Sequence, residues 1–262
     1  MADRRAPAAR RYGFLARLGH FARGIVYIAM GIWTGRAAVF SHASAVGPGE
    51  ALESVLGGRE GRLFAGLVAL GFLADAVFRI LQAATAKNRG FLARASLFVR
   101  GIGAAALGIT AFQVYRHVQQ GREGRMLREI VAWVMAHPSG TTLIVVIGLV
   151  AVALGAREIL EGATGRLRET FVKKTMGRLQ KRWAMRVARI GLATHGTLIV
   201  LTGYFLVRAG LGANPRAVVL SGGALRRVGH LPFGAAILAG LAAGVIAYGL
   251  AQWVLGFYRR AS

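Results

Sequence analysis

FGAAILAGLAAGVIAYGLAQWVLGF, residues 233–257, runs through twenty-five positions without one charged side chain, and Arg259 is the first charge after it. At 1.5 Å per residue a helix of this length reaches across the hydrocarbon of a bilayer, which needs about 20 apolar residues. Inside hydrocarbon every backbone amide must be paired within the segment, so the run reads as a helix. It lacks the period-two alternation of a barrel strand. Five further stretches have the same character: 18–40, 62–84, 95–115, 140–160 and 187–209. One such run could be the buried helix of a soluble protein; six could not. The composition agrees. Hydrophobic residues make up 55% of the 262 and charged residues only 17%, where a soluble domain carries about 25% charged. Disorder is excluded by the apolar content. The absence of Cys excludes a disulfide scaffold, a zinc-thiolate site and a thiol nucleophile.

The formal charge is +24. These cations do not gather on one soluble face; they punctuate the apolar runs. The anion they suit is phospholipid, and nucleic acid is not an expected partner. With the N-terminus inside, the segments 1–20, 80–97, 157–189 and 258–262 hold 20 Lys and Arg, against 9 in 37–61, 115–139 and 208–232. The positive-inside rule therefore predicts both termini in the cytoplasm. The first span reads as a retained anchor, because no small-residue cleavage site follows it.

The chain repeats itself three times. RLGHFARG (17–24), RASLFVRG (94–101) and RIGLATHG (189–196) align, bringing Arg17, Arg94 and Arg189 together, then Gly24, Gly101 and Gly196. Seven residues on, Gly31, Gly108 and Gly203 coincide. Later in each unit ALESVLGGREG (51–61), IVAWVMAHPSG (130–140) and ALRRVGHLPFG (224–234) end on a glycine that opens the second helix, with Leu52, Val131 and Leu225 nine residues before it. Pro138 and Pro232 are expected in a first helical turn, where the missing N–H loses no partner. The predicted organisation is a basic segment 1–16, repeat one at 17–85, repeat two at 94–161, a basic cytoplasmic connector 162–185, repeat three at 186–257 and a tail 258–262. The fold class is an all-α membrane protein, six transmembrane helices in three tandem hairpins. Two spans per unit return the chain to one side, so the repeats are parallel, about an axis along the membrane normal. A pseudo-threefold ring is the natural layout, although a row also satisfies the repeat.

The triplicated unit, with Arg23-Gly24, Arg100-Gly101 and the Pro-x-Gly openings at 138–140 and 232–234, resembles the bacterial family called domain of unknown function 1206. The resemblance covers about 17–257. It implies a six-helix membrane protein and no assigned activity. The first unit departs from it in having Arg59 in place of the proline, and the third in having His195 in place of the arginine.

Arg23, Arg100 and His195 are equivalent, each six residues past the boundary arginine and so about 9 Å deeper. Asp75 reads as the only acid well inside a span, and Arg23–Asp75 as an intramembrane ion pair. Ionisable groups at such depth face the bundle interior, or snorkel to head groups. At the position of Asp75 the later units carry Leu154 and Tyr248. The glycines, including Gly31, Gly35, Gly240 and Gly244, are read as close-packing sites. The segment 126–135 places Met126, Ile130, Val131 and Val134 on one face, away from Arg128 and Glu129, and is expected in the interface plane. Lys173, Lys174, Arg178, Lys181, Arg182 and Arg186 form a cluster suited to anionic lipid, beside Trp183.

No His pair has helical metal-ligand spacing, no metal site or cofactor is expected, and no Walker loop, G-x-S-x-G elbow or HExxH occurs. An enzyme has no motif to stand on. The leading expectation is a structural or accessory membrane protein, with a protein partner or a homo-oligomer. The alternatives are a small transporter or channel for an anionic or polar solute, using Arg23, Arg100 and His195, and a redox subunit with haem between His20 and His195. The mitochondrial-carrier signature P-x-[DE]-x-x-[KR] is absent.

Overall fold

The computed structural model describes residues 6–40, 45–56, 61–85, 90–116, 123–164, 178–214, 217–218 and 221–258, and among them it is all helix. The nine helices found there are α1 (Ala6–Val39), α2 (Pro48–Leu56), α3 (Gly61–Thr85), α4 (Phe91–Tyr115), α5 (Glu123–Met135), α6 (Gly140–Thr164), α7 (Arg178–Leu211), α8 (Ser221–Gly229) and α9 (Gly234–Tyr258). Each unit is thus long helix, short amphipathic helix, long helix. The second long helices α3, α6 and α9 are each 25 residues and each open on a glycine. The end where α1, α4 and α7 begin is called proximal below; the short helices lie at the distal end.

Among the described residues four helical segments are long and apolar enough to cross a membrane, within α3, α6, α7 and α9. α1 and α4 are not among the four. The burial pattern supports a lipid environment independently. Leu70, Val77, Phe112, Leu149 and Ile237 are exposed, while Asp75, Glu158, His20 and Gln252 are buried. A soluble protein arranges these classes the other way round, and an exposed apolar surface of this kind fits hydrocarbon.

The tightest packing is between units, not within them. α3 lies against α4, α6 against α7 and α9 against α1. The second helix of each unit therefore meets the first helix of the next, and the third unit returns to the first. This is the radial layout, not a row. Within units α7 touches α9 and α1 touches α3, but α4 and α6 hardly approach each other among the described residues.

The repeated glycines make these contacts. A Cβ at Gly101 would lie 2.9 Å from the Ile80 side chain, and one at Gly108 2.9 Å from Leu73. At Gly24 and Gly31 the obstacles are Trp253 and Ile246, with the Gly249 and Ala242 carbonyls at 2.9 Å. Between α6 and α7 the approach is backbone on backbone: Gly196 faces the Gly155 carbonyl at 2.6 Å, and Gly203 faces the Gly148 carbonyl at 2.8 Å. Small residues allow helix axes to come this close, and dispersion over the contact is the return. Gly35 and Gly244 also meet a neighbouring helix, whereas Gly240 faces open space.

Leu52, Val131 and Leu225 each enter a buried cluster, which seats the short helices on the ring. Pro138 and Pro232 fall in the turns before α6 and α9 rather than in the first helical turn. The next residues, Ser139 and Phe233, take positive φ of 66° and 61°. Gly140 and Gly234 then donate to the carbonyls of His137 and Leu231 at 2.9 and 2.8 Å. Proline serves the turn, not the helix. A Cβ at Gly140 would come within 1.8 Å of the Val134 carbonyl, so the chain can enter α6 only through glycine.

Candidate functional site

Two of the boundary arginines, Arg94 and Arg189, cap the proximal ends of the helices packed beside them. Arg94 Nε donates to the Ala83 carbonyl at 3.1 Å, in the last turn of α3. Arg189 Nε donates to the Gly162 carbonyl at 2.9 Å, and its Nη2 to Ala163, in the last turn of α6. Ala83 and Gly162 are equivalent positions, twenty-two residues after the opening glycines. The last carbonyls of a helix have no intrahelical partner and carry the negative end of the macrodipole, so a guanidinium satisfies both demands.

One and a half turns deeper lies a layer of polar side chains, buried or half-buried except for the more exposed Arg100. α1 supplies His20, Arg23 and Tyr27; α3 supplies Asp75 and Arg79; α4 supplies Arg100; α6 supplies Glu158; α7 supplies His195; α9 supplies Tyr248 and Gln252. Asp75 Oδ2 accepts from Arg23 Nη2 and from Arg79 Nε, the latter at 2.8 Å. Glu158 Oε1 accepts from Arg100 Nη2, and Glu158 Oε2 pairs with His195 Nδ1 at 2.6 Å. The other ring nitrogen, Nε2, is 3.0 Å from the Tyr27 hydroxyl. The imidazole of His195 stacks on the Tyr248 ring at 4.1 Å, nearly parallel. His20 Nδ1 is 2.7 Å from Gln252 Oε1.

Arg23 and Asp75 are thus paired across α1 and α3. Arg100 and His195 meet through a residue the sequence reading passed over. Asp75 is not the only deep acid: Glu158 is 4% exposed on α6, six residues before its end. The reading closed this span at 160 and counted 157–189 as the connector, so Glu158 looked like a flanking charge. Its register shows otherwise. Glu158 lies eighteen residues after Gly140, where the other units have Arg79 after Gly61 and Gln252 after Gly234. All three equivalents are polar, and all three join the layer.

Both nitrogens of His195 are engaged by Glu158 and Tyr27, which leaves it no free position for a haem iron. In the basic connector, Lys173 and Lys174 lie outside the described residues, and Arg178 and Lys181 sit on α7 with side chains that are not described. Arg182 and Arg186 are exposed, Arg186 lying 5.5 Å over the Trp183 ring. In 126–135, Ile130 is exposed and Val131 buried, while the side chains of Met126 and Arg128 are not described. At the distal end an open cavity of about 750 Å³ is lined by Tyr204, Arg208, Asn214 and Arg227 among others.

The model of the family described as Domain of Unknown Function (DUF1206) matches three times, at residues 18–86, 95–165 and 190–259. The chain belongs to the DUF1206 family. A relative of this DUF1206 chain, described as the uncharacterized protein YxxB of Bacillus subtilis (strain 168), is 26% identical over 266 residues. The alignment covers 97% of this chain and 92% of that relative. No solved structure matches. Each DUF1206 match begins one residue after a boundary arginine, so the matched unit includes its own deep position (Arg23, Arg100 or His195) and excludes the arginine that caps its neighbour. Each matched segment of this multi-pass membrane protein thus contains one of the aligned deep positions on its first helix (Arg23, Arg100 or His195) and one on its second (Arg79, Glu158 or Gln252).

Proposed function

We propose that this DUF1206 protein is a six-span structural or accessory component of the bacterial inner membrane, with both termini in the cytoplasm. α1 and α4 supply the two spans beyond the four apolar helices. Their arginines are held rather than exposed bare: Arg94 is spent on helix-end carbonyls, and Arg23 and Arg100 on carboxylates. The observation that carries the reading is that the deep carboxylates are engaged by cations of the same bundle, while aliphatic side chains point outward. An intramembrane charge normally marks function or assembly. Here the ion pairs join α1 to α3 and α4 to α6 within their units, and α7 to α6 between the second unit and the third, so their first effect is to brace the bundle. The proximal connector, with Arg182 and Arg186 at the start of α7, lies at the cytoplasmic face against anionic lipid, each basic residue contributing about 1 kcal/mol near the surface.

Cross-linking in native membranes tests the role, alongside flux measurements on the protein in liposomes. An accessory protein is expected to appear in a larger assembly, its own or another protein's, and to leave liposomes tight. A chain that stays monomeric under cross-linking and passes a polar or anionic solute overturns the reading in favour of a transporter.

A further inference from the structure

The polar layer holds the guanidiniums of Arg23, Arg79 and Arg100 against the carboxylates of Asp75 and Glu158. Counting its guanidiniums and carboxylates, the described layer carries one positive charge in excess. A lone charge in a medium of low dielectric is expensive, so such an excess favours a counter-ion. Arg100 is where the excess is accessible. Its side chain is 49% exposed, against 12% for Arg23 and for Arg79. It contributes Nη2 to Glu158 Oε1, and its other N–H groups meet no protein acceptor among the described residues. A guanidinium has five N–H donors in a planar fork, so most of this one remains on offer. It also stands at the one place where the ring is thin, between α4 and α6. Helical side chains lean toward their own N-terminus, which for Arg100 is the proximal end. Both Asp75 oxygens and both Glu158 oxygens belong to groups already neutralised, and Arg23 and Arg100 both bear electrostatically on Arg79. Glu161, the further acid that bears on Arg100, is itself paired with Arg157, so a third anion is the missing element of the set.

We propose that the seam between α4 and α6 is a binding site for a phosphate group, received by the Arg100 guanidinium. A tetrahedral oxyanion accepts two parallel N–H bonds from such a fork. On the six-span reading this seam faces lipid, and Arg100 lies six residues past Arg94, about 9 Å and so within reach of head groups, where a phospholipid phosphodiester and a free phosphate share the required chemistry. The proposal rests on the six-span reading, because the excess charge is costly only in hydrocarbon.

The test uses the full chain in nanodiscs of phosphatidylcholine, with phosphatidylglycerol or inorganic phosphate as the probe. Retained lipid is read by native mass spectrometry and phosphate binding by calorimetry. Wild type is expected to keep one phosphatidylglycerol, or to bind one phosphate, and Arg100→Gln to weaken that binding about tenfold or more. Arg226→Gln, removing an exposed cation paired with Glu50 at the distal end, should leave it unchanged. Retention of phosphatidylglycerol with no response to phosphate assigns a headgroup site; displacement of the lipid by phosphate assigns a site for the free ion. If Arg100→Gln does not fold, Arg100→Lys keeps the charge and loses the fork, and several-fold weaker binding is expected. Equal binding by wild type and the Arg100 variants, or no binding by wild type, overturns the proposal. Dispersal of the purified chain in buffer without detergent would instead defeat the membrane reading, and is measured separately.

Discussion

Asp75 in the first unit is gripped by two guanidiniums, one from α1 and one from its own helix four residues on. Glu158 in the second is gripped by a guanidinium from α4 and an imidazole from α7. The two acids are not equivalent in the repeat. Glu158 occupies the position of Arg79, whereas Asp75 occupies that of Leu154 and Tyr248. The helix contacts follow a threefold pattern in their glycines, Arg94 and Arg189 repeat one helix-end cap, and the side chains of the deep layer depart from the repeat. Packing demands are met identically in each unit; charge is distributed once, over the whole ring. The difference also sets what each acid does. Asp75 ties α1 to α3 within a unit, while Glu158 bridges the thin α4–α6 seam and the tight α6–α7 contact together.

Removing each acid in turn should separate them most strongly. Asp75→Asn leaves two guanidiniums, each 12% exposed, without their carboxylate. Breaking a buried pair from one side costs about 3–5 kcal/mol. Glu158→Gln leaves Arg100 half exposed, where solvent or head groups reach it, and keeps a polar partner for His195, and should cost less, about 1–3 kcal/mol. Denaturant unfolding in detergent micelles reads both. Equal losses would mean that a half-exposed guanidinium needs its carboxylate as much as two buried ones do, and that the contrast drawn above is empty.

Much of this layer was legible because a charge in an apolar run is conspicuous: Arg23, Asp75 and Arg100 stand out by residue type alone. Glu158 did not, since R-E-I-L-E-G reads as the polar end of a span, and only the register counted from Gly140 places it inside. The boundary arginines were visible as markers, but nothing local says that Arg94 and Arg189 reach the carbonyls of the preceding unit. That depends on which helices are neighbours, and a repeat by itself does not distinguish a ring from a row. The long helices α1 and α7 begin at Ala6 and Arg178, well before the apolar stretches at 18 and 187, because helix continues through a basic segment that hydropathy reads as its end. Proline was the reverse error: Pro138 suits a first turn by its missing N–H, yet the positive φ of Ser139 interposes a turn before α6.

The unit interfaces sharpen the same contrast at a smaller scale. If packing obeys the threefold rule while chemistry does not, equivalent glycines should differ only by what faces them. Gly196→Ala sets a methyl 2.6 Å from the backbone carbonyl of Gly155, which cannot move without moving α6. Overpacking of this kind costs about 1–3 kcal/mol. Gly108→Ala sets one 2.9 Å from Leu73 Cγ, a side chain with other rotamers, and should fall at the low end of that range or below it. A loss at Gly108 as large as at Gly196 would show that α3 and α4 are packed as rigidly as α6 and α7.

The smallest effect belongs to a carboxylate at the distal end. In α2, Glu50 pairs with Arg226 at 3.2 Å, and Glu53 lies beside it, partly buried. Burial, then the neighbouring Glu50 charge, holds the Glu53 carboxyl above the usual carboxylate range. Asp75 and Glu158 have cations to stabilise the ionised form; at Glu53 the environment favours the protonated one. An acid whose folded value is raised adds stability below its unfolded value, and that stability is lost as pH rises through the folded value. Between about pH 4 and about pH 7, the melting temperature of wild type should therefore fall slightly relative to Glu53→Gln, which has no proton to lose. The ring can tolerate this group because α2 is a connector that water reaches, where a charge costs little. A wild-type curve parallel to that of Glu53→Gln would show that the solvent around α2 already screens Glu50 from Glu53. The deep acids would then be the ones whose charge the fold has to answer.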